Sequence, residues 1–119
     1  MAEPGFYHGV ASGSPESNSM IFWTRYTPPD PSSKEDAFDI EYRIAKVPED
    51  VVDTADERYY SRLLKSRGKK VRYGTASATK EHDWTIKLDI TGLDPNTTYV
   101  YSFNDGTTTT EIGKTKTLP

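Results

Sequence analysis

Apolar and polar residues alternate along several short runs of this chain, and this alternation decides its fold class. Residues 38–44 read F-D-I-E-Y-R-I, and residues 84–90 read W-T-I-K-L-D-I. A period of two places the apolar side chains on one face of a strand and the polar ones on the other. Residues 99–103 continue the pattern with an aromatic ring at every second position. Such runs predict half-buried strands of antiparallel sheets rather than helices.

A further apolar run predicts another core strand. Between Ser19 and Tyr26, Ile21 and Trp23 fall on one face, and Phe22 falls on the other. We assign Ile21 and Trp23 to the core, which leaves Phe22 exposed. Weaker alternation at residues 6–11, 70–76 and 109–117 brings the total to about seven strands, the number typical of an immunoglobulin-like β-sandwich. The predicted core residues are Ile21, Trp23, Ile40, Tyr42, Ile86 and Leu88.

One segment interrupts the strands. Pro48 to Arg67 begins with proline and acidic residues and ends with basic residues before Gly68. This charge order favours the helix dipole, and proline is tolerated in a first helical turn. We predict one helix over about 48–67, inserted between strands. A partly ordered loop is the alternative.

The segment that follows Ile90 has the pattern of a tyrosine corner. Residues 93–99 read L-D-P-N-T-T-Y, and the alternating aromatic run begins at Tyr99. This resembles the corner of fibronectin type III sandwiches, in which a tyrosine hydroxyl turns back to the backbone just upstream. We therefore expect Leu93 to fill the core, Pro95 to stiffen the turn and Tyr99 to tie it. Further on, Asn104-Asp105-Gly106 predicts a hairpin turn.

The composition excludes most classes of site. The chain of 119 residues is long enough for one domain, and its formal net charge of -3 leaves no basic surplus for nucleic acid or an anionic membrane. No apolar run is long enough to span a bilayer, and the N-terminus lacks the basic and apolar regions of a signal peptide. With Cys 0 and His 2, the chain has no disulfide framework and little material for a metal site.

No side chain receives a catalytic role. His8 and His82 lie far apart and in no metal-ligand or triad spacing, so we interpret them as ordinary strand-edge residues. Asp39, Glu41 and Asp89 fall on the polar faces of predicted strands, where carboxylates usually serve as solvated charges. Acid–base catalysis needs a carboxyl group with a raised pKa in a cleft. We expect no catalytic residue, metal or cofactor in this domain.

Three separate blocks resemble one family. Residues 6–15 (F-Y-H-G-V-A-S-G-S-P) and 21–25 (I-F-W-T-R) resemble the opening of PhoD-like alkaline phosphatases. That opening typically reads His-Gly-Val-Ala-Ser-Gly-Asp-Pro and continues with an apolar-Trp-Thr-Arg strand. Residues 84–101 are similar to the family's segment around Thr-Gly-Leu-x-Pro, and residues 113–119 (G-K-T-K-T-L-P) to the Gly-Arg-Thr-Arg-Thr-Leu-Pro that ends the N-terminal domain.

The resemblance implies an accessory domain beside a catalytic one. In PhoD-like phosphatases the phosphoesterase site, with calcium and iron, belongs to the larger domain that follows. Its Asp-x-His, Gly-Asp and Gly-Asn-His signatures do not occur in residues 1–119. The expected partner is therefore the protein's own C-terminal phosphoesterase domain. The family is commonly exported by the twin-arginine route, which implies a secreted or periplasmic protein, although no such signal precedes this chain.

This sequence departs from the family pattern at two places. Ser14 stands where the family usually has Asp, and the connection from Pro48 to Lys70 is longer than usual. We interpret Gly9 to Pro15 as a loop, rich in glycine and small polar residues, whose backbone can come close to another domain. The residues we expect to contact that domain are His8, Gly9, Ser12, Gly13, Ser14 and Phe22.

Two other functions stay open at this point. The chain could be a free-standing fibronectin-like module that binds a glycan or a protein through an aromatic surface. A third hypothesis is an autonomous small hydrolase. Whether the natural protein continues beyond Pro119 separates the first reading from the others. The aromatic surface of a binding module would be supplied by Tyr7, Tyr26, Tyr59 and Tyr60.

Overall fold

The computed structural model describes residues 5–28, 37–66 and 71–119. Within these residues seven strands form two antiparallel sheets, one of three strands and one of four. The predicted all-β sandwich of about seven strands is confirmed. The strands are β1 Val10–Gly13, β2 Ser19–Arg25, β3 Ala37–Lys46, β4 Val71–Thr79, β5 Thr85–Thr91, β6 Thr98–Asn104 and β7 Gly113–Lys116.

The order of the strands is β1-β2-β5 in the three-stranded sheet and β4-β3-β6-β7 in the four-stranded sheet. Strands β3, β5 and β6 bury the alternating apolar residues that predicted them on the face that meets the opposite sheet. Ile40 and Phe103 of the four-stranded sheet and Ile86 of the three-stranded sheet are at most 2% exposed. Tyr42 and Leu88 are half-buried and pack against this core.

Strand β2 lies the other way round from the prediction. Met20 and Phe22 are 1% and 0% exposed and lie in the core, whereas Ile21 and Trp23 are half-buried on the outer face. The ring of Phe22 meets Tyr101 of the opposite sheet edge to face, with 4.7 Å between centroids. Assigning Ile21 and Trp23 to the core and Phe22 to solvent was therefore wrong. Both faces of β2 carry large apolar residues, so its alternation alone does not identify the buried face.

The inserted helix is shorter than predicted. Pro48 begins only a short 3-10 helix, Glu49–Val51, and the α-helix α1 spans Glu57–Lys65. The side chain of Asp56 accepts a hydrogen bond from the Tyr59 N–H at 2.9 Å and fixes the start of α1. The predicted end at Arg67 lies outside the described residues. Among the described residues no helix has both the length and the apolar character needed to cross a bilayer.

Helix α1 covers the outer face of the four-stranded sheet. Tyr60 and Leu64 of α1 are 9% and 3% exposed and pack over Ala45 of β3 and Val100 of β6. Ala45 and Val100 are directly paired across the sheet and are each 0% exposed. The part of this sheet beneath α1 is therefore buried on both faces, with a second small apolar cluster under the helix.

Candidate functional site

The structure separates the residues predicted to contact another domain. His8 and Gly9 precede β1, whereas Ser14 follows it. Strand β1 advances about 3.3 Å per residue, so its two ends lie roughly 10–13 Å apart. The predicted contact stretch is thus largely a strand instead of one loop. Phe22 cannot contact a neighbouring domain at all, because its side chain is fully buried.

His8 lies in a charged group at the N-terminal end of β1. Its Nε2 is 3.5 Å from Nη1 of Arg25. Arg25 in turn holds Asp83, with 3.0 Å between Nη2 and the carboxylate and a hydrogen bond from Nε to the Asp83 carbonyl. Asp83 and Trp84 both have positive φ, 54° and 61°, so Arg25 braces a strained turn. The geometry accounts for Arg25 as a structural support.

Gly9 and Ser12 face inward. The Thr24 hydroxyl donates to the Gly9 carbonyl at 3.0 Å, and the Ser12 side chain is hydrogen-bonded to the Tyr101 side chain. Burial raises the pKa of Tyr101, the charge of Glu111 raises it further, and the Ser12 hydrogen bond lowers it in part. The polar side chain of Ser12 therefore belongs to the interior, where it satisfies a buried tyrosine.

Gly13 and Ser14 lie at the surface, at the opposite end of β1. Ser14 is exposed and adopts a φ of 48°, and a Cβ built on Gly13 would meet nothing within 4 Å. The turn that follows is close to the C-terminal residues, because the Leu118 N–H donates to the Glu16 carbonyl at 3.1 Å. Of the predicted contact residues, the half-buried Gly13 and the exposed Ser14 are the pair that lies close to the C-terminal end.

The segment after β5 has the geometry of a tyrosine corner. The Tyr99 hydroxyl accepts a hydrogen bond from the Asp94 N–H at 2.8 Å, and Leu93 and Tyr99 are each 6% exposed. Pro95 is exposed at the turn. Asp94 also accepts from Lys46 Nζ at 2.7 Å, and this hydrogen bond and the carboxylate charge raise the pKa of Lys46. The corner joins the two sheets and serves stability.

A cross-sheet bond between Tyr26 and Asp105 was not foreseen from the sequence. The Tyr26 hydroxyl donates to Asp105 Oδ2 at 2.9 Å; burial and this bond raise the pKa of Tyr26. Burial alone would raise the pKa of Asp105, but the N–H groups of Thr108 and Thr107 and the Tyr26 hydroxyl outweigh it, so the pKa is lowered. The hairpin turn at Asp105 was predictable, but nothing in the sequence pairs it with Tyr26.

A cavity of about 330 Å³ lies between α1 and the four-stranded sheet. Arg43 lines it, with its Nε on Glu41 at 2.9 Å, its Nη1 on the Leu64 carbonyl at 2.9 Å and its guanidinium over the Tyr73 ring. These contacts tie the helix to the sheet. Arg43 is thus accounted for as a support for α1.

The four tyrosines of the alternative binding module do not share one surface. Tyr7 is 60% exposed, whereas Tyr26 and Tyr60 are 4% and 9% exposed. Tyr26 packs between Phe6 and other rings of the core, and Tyr59 and Tyr60 lie on the inserted helix α1. An aromatic binding face of the kind a glycan needs is therefore not built from these residues.

The acids singled out in the sequence lie on exposed strand faces. Ser77 donates to Asp39 at 3.5 Å, and Glu41 pairs with Arg43. Across residues 5–28, 37–66 and 71–119, no three His, Asp or Glu side chains are grouped so that they could hold a metal ion. The donor set in this part of the chain does not fit a calcium or iron centre, and no reaction step is assigned to its residues.

Comparisons with known proteins agree on one family. The family of PhoD-like phosphatase N-terminal domains matches residues 1–119. Alkaline phosphatase D of Bacillus subtilis (strain 168) is 35% identical over 118 residues, a stretch that covers 96% of this chain and 17% of that protein. A solved structure of PhoD is 31% identical, with a TM-score of 0.72, and the match covers 100% of this chain and 20% of that one.

A more distant structure shares the fold alone. The sensor domain of the anti-sigma factor RsgI4 from Pseudobacteroides cellulosolvens is 15% identical, with a TM-score of 0.61, and the match covers 99% of this chain and 97% of that one. The matched PhoD proteins are much longer, since the chain spans only about a fifth or less of their length. The family match over all 119 residues and the 35% identity lead to one conclusion: the chain belongs to the PhoD-like phosphatases, as their N-terminal domain.

Proposed function

We propose that this chain is a non-catalytic accessory domain that packs beside the metal-dependent phosphoesterase domain of its own protein and forms one wall of its entrance. The observation that carries the proposal is the difference in length. The whole chain matches 17% of one PhoD-like relative and 20% of another. Most of the relatives' length therefore lies outside the part that this chain resembles.

The chemistry of phosphate ester hydrolysis supports this division of roles. A metal ion in such a site polarises a phosphoryl oxygen and lowers the pKa of a bound water. Calcium and iron, which the resemblance implies for the parent, need a cluster of carboxylate, imidazole or similar ligands. The described residues of this domain offer no such cluster. The contribution of this chain is therefore to stability and to the shape of the entrance.

The non-catalytic role is tested in the full-length parent protein. A double variant, His8→Ala with His82→Ala, removes both histidines of this segment. We expect kcat for a phosphodiester, with calcium and iron present, to stay within about twofold of the wild type, because a lost general acid or base costs about a hundredfold or more. A hundredfold loss with the fold intact would show that the domain takes part in catalysis.

The entrance is tested by the size of the substrate. Ser17 is exposed in the turn between β1 and β2, and Glu81 is exposed at the opposite end of the sandwich, between β4 and β5. We expect Ser17→Trp to lower kcat/KM several-fold for a bulky phosphodiester but not for a small phosphomonoester. The matched control Glu81→Trp should change neither. Equal effects of the two variants on both substrates would contradict the proposal.

A further inference from the structure

The outer face of the three-stranded sheet is apolar at its centre. Ile21 and Trp23 lie on the central strand β2 and point away from the core residues Met20 and Phe22. Neither Ile21 nor Trp23 belongs to either cluster of packed apolar residues in the described part of the chain. The outer face of an antiparallel sheet is normally polar when it meets water. Ile21 and Trp23 are half-buried, so part of each side chain remains open to a partner.

The neighbours of Ile21 and Trp23 leave this face accessible on one side. Across from Trp23 on β1 is Ala11, and across from Ile21 is Gly13. Ala11 is exposed, and the position above Gly13 is open to at least 4 Å. On the other side, the two apolar residues pair with charged residues of β5. Trp23 lies opposite Lys87, and Ile21 lies opposite Asp89. An apolar centre with a polar rim is the usual anatomy of a protein interface.

The C-terminal residues lie at the end of the three-stranded sheet where β1 turns into β2. The Asn96 N–H donates to the Leu118 carbonyl, and the Leu118 N–H donates to Glu16, which lies in the turn joining β1 and β2. Gly13 and Ile21, which are paired across β1 and β2, lie next to that turn. A chain that continues after Pro119 starts at this end of the sheet. A domain tethered in this way is present at a high effective concentration near the sheet, so it binds there more readily than a separate protein of equal affinity.

We propose that the outer face of the three-stranded sheet, centred on Ile21 and Trp23, is the docking surface for the phosphoesterase domain of the same chain. This inference rests on the proposed function and names the surface through which it acts. The contact is an apolar one, in which Trp23 is the anchor and Ala11 and Gly13 let the partner's backbone come close. Large aromatic anchors surrounded by a polar rim carry most of the energy of such interfaces.

The test uses hydroxyl-radical footprinting of the full-length parent protein. The matched variants are Ala11→Lys and Thr75→Lys, since each places a lysine at an exposed, outward position of an edge strand, one on each sheet. We expect the oxidation rate of Trp23, normalised to the exposed Tyr73, to rise about tenfold or more in Ala11→Lys, equivalent to a 1.4 kcal/mol loss of docking. Thr75→Lys should leave it unchanged.

The outcomes separate this inference from the proposed function. If Trp23 oxidises at the same rate in the wild type, Ala11→Lys and Thr75→Lys, the docking surface is wrong, whatever the substrate-size test gives. If Ala11→Lys exposes Trp23 without changing kcat/KM for the bulky substrate, docking stands and the role in the entrance fails. Should Ala11→Lys not fold, Ala11→Glu repeats the measurement with the opposite charge, and the same two outcomes apply.

Discussion

The two sheets of this domain treat their outer faces differently. The four-stranded sheet is covered by α1 of the same chain, and Ala45 and Val100 beneath it are inaccessible to solvent. The three-stranded sheet has half-buried Ile21 and Trp23 at the centre of its outer face, beside the exposed Ala11. Both outer faces are apolar, but the described part of the chain supplies a cover for one of them only.

This difference separates residues that stabilise the domain from residues that are available to a partner. Burial of apolar area contributes about 25 cal/mol per Å², and α1 gains it within the domain. Ile21 and Trp23 can gain the remainder of theirs only from another surface. The comparison therefore predicts large effects of substitution beneath α1 and in the core, and small effects on the outer face of β2 until a partner is present.

The largest expected effect distinguishes the two faces of β2. Phe22→Ala removes a fully buried ring that contacts Tyr101, and it should lower the free energy of unfolding by about 3–5 kcal/mol. Trp23→Ala, one residue away, should cost the isolated 119-residue chain about 1 kcal/mol, since the Trp23 side chain is only half-buried. Denaturant unfolding followed by circular dichroism measures both. Equal losses of stability in the two variants would contradict the assignment of Phe22 to the core and Trp23 to the outer face.

The next largest effect concerns the cover of the four-stranded sheet. Leu64 of α1 is 3% exposed and packs on the sheet, whereas Leu63 on the same helix is only half-buried. Leu64→Ala should lower the free energy of unfolding by about 2–4 kcal/mol through lost burial and a residual cavity. Leu63→Ala is the matched control and should cost clearly less. If Leu64→Ala is as mild as its control, α1 does not cover this sheet in solution.

Much of the fold could be predicted because β3, β5 and β6 each offer one apolar face. Strand β2 could not be oriented, since Met20 and Phe22 compete with Ile21 and Trp23 for the same core. Pro48 gave a plausible start for the helix, but the hydrogen bond that Asp56 accepts from the Tyr59 N–H places the start nine residues later, at Glu57.

The candidate contact residues were harder to predict than the strands. A stretch rich in glycine and serine was interpreted as a loop, yet Val10–Gly13 pairs with β2 and forms a strand. Its composition is explained by long-range neighbours, since Ser12 meets Tyr101 on β6. Such pairings depend on how the two sheets face each other, and one strand's own residues carry no signal for them.

A smaller effect is expected at the start of α1. Asp56→Ala removes the acceptor for the Tyr59 N–H and should cost about 1 kcal/mol, the usual value for an N-cap. Asp53→Ala is the matched control, because Asp53 is an exposed aspartate outside α1, and it should have almost no effect. Thermal unfolding of both variants measures the difference. A loss as large for Asp53 as for Asp56 would contradict the cap.

The smallest effect is a pH dependence at the bond that joins the two sheets. The hydrogen bonds that Asp105 accepts hold its pKa below the ordinary value of an aspartate, in spite of its partial burial. The unfolded chain therefore takes up a proton before the folded one does. The stabilisation is fully present above pH 4 to 5 and is lost as the pH falls through the lower, folded pKa. The measurement is the free energy of unfolding as a function of pH, in which the fall at low pH is the acid limb. Asp105→Asn should flatten this limb. Tyr26→Phe keeps the hydrogen bonds from Thr107 and Thr108, so it should reduce the limb only in part. A wild-type acid limb in Asp105→Asn would show that the titration of this carboxylate does not contribute to the loss of stability in acid.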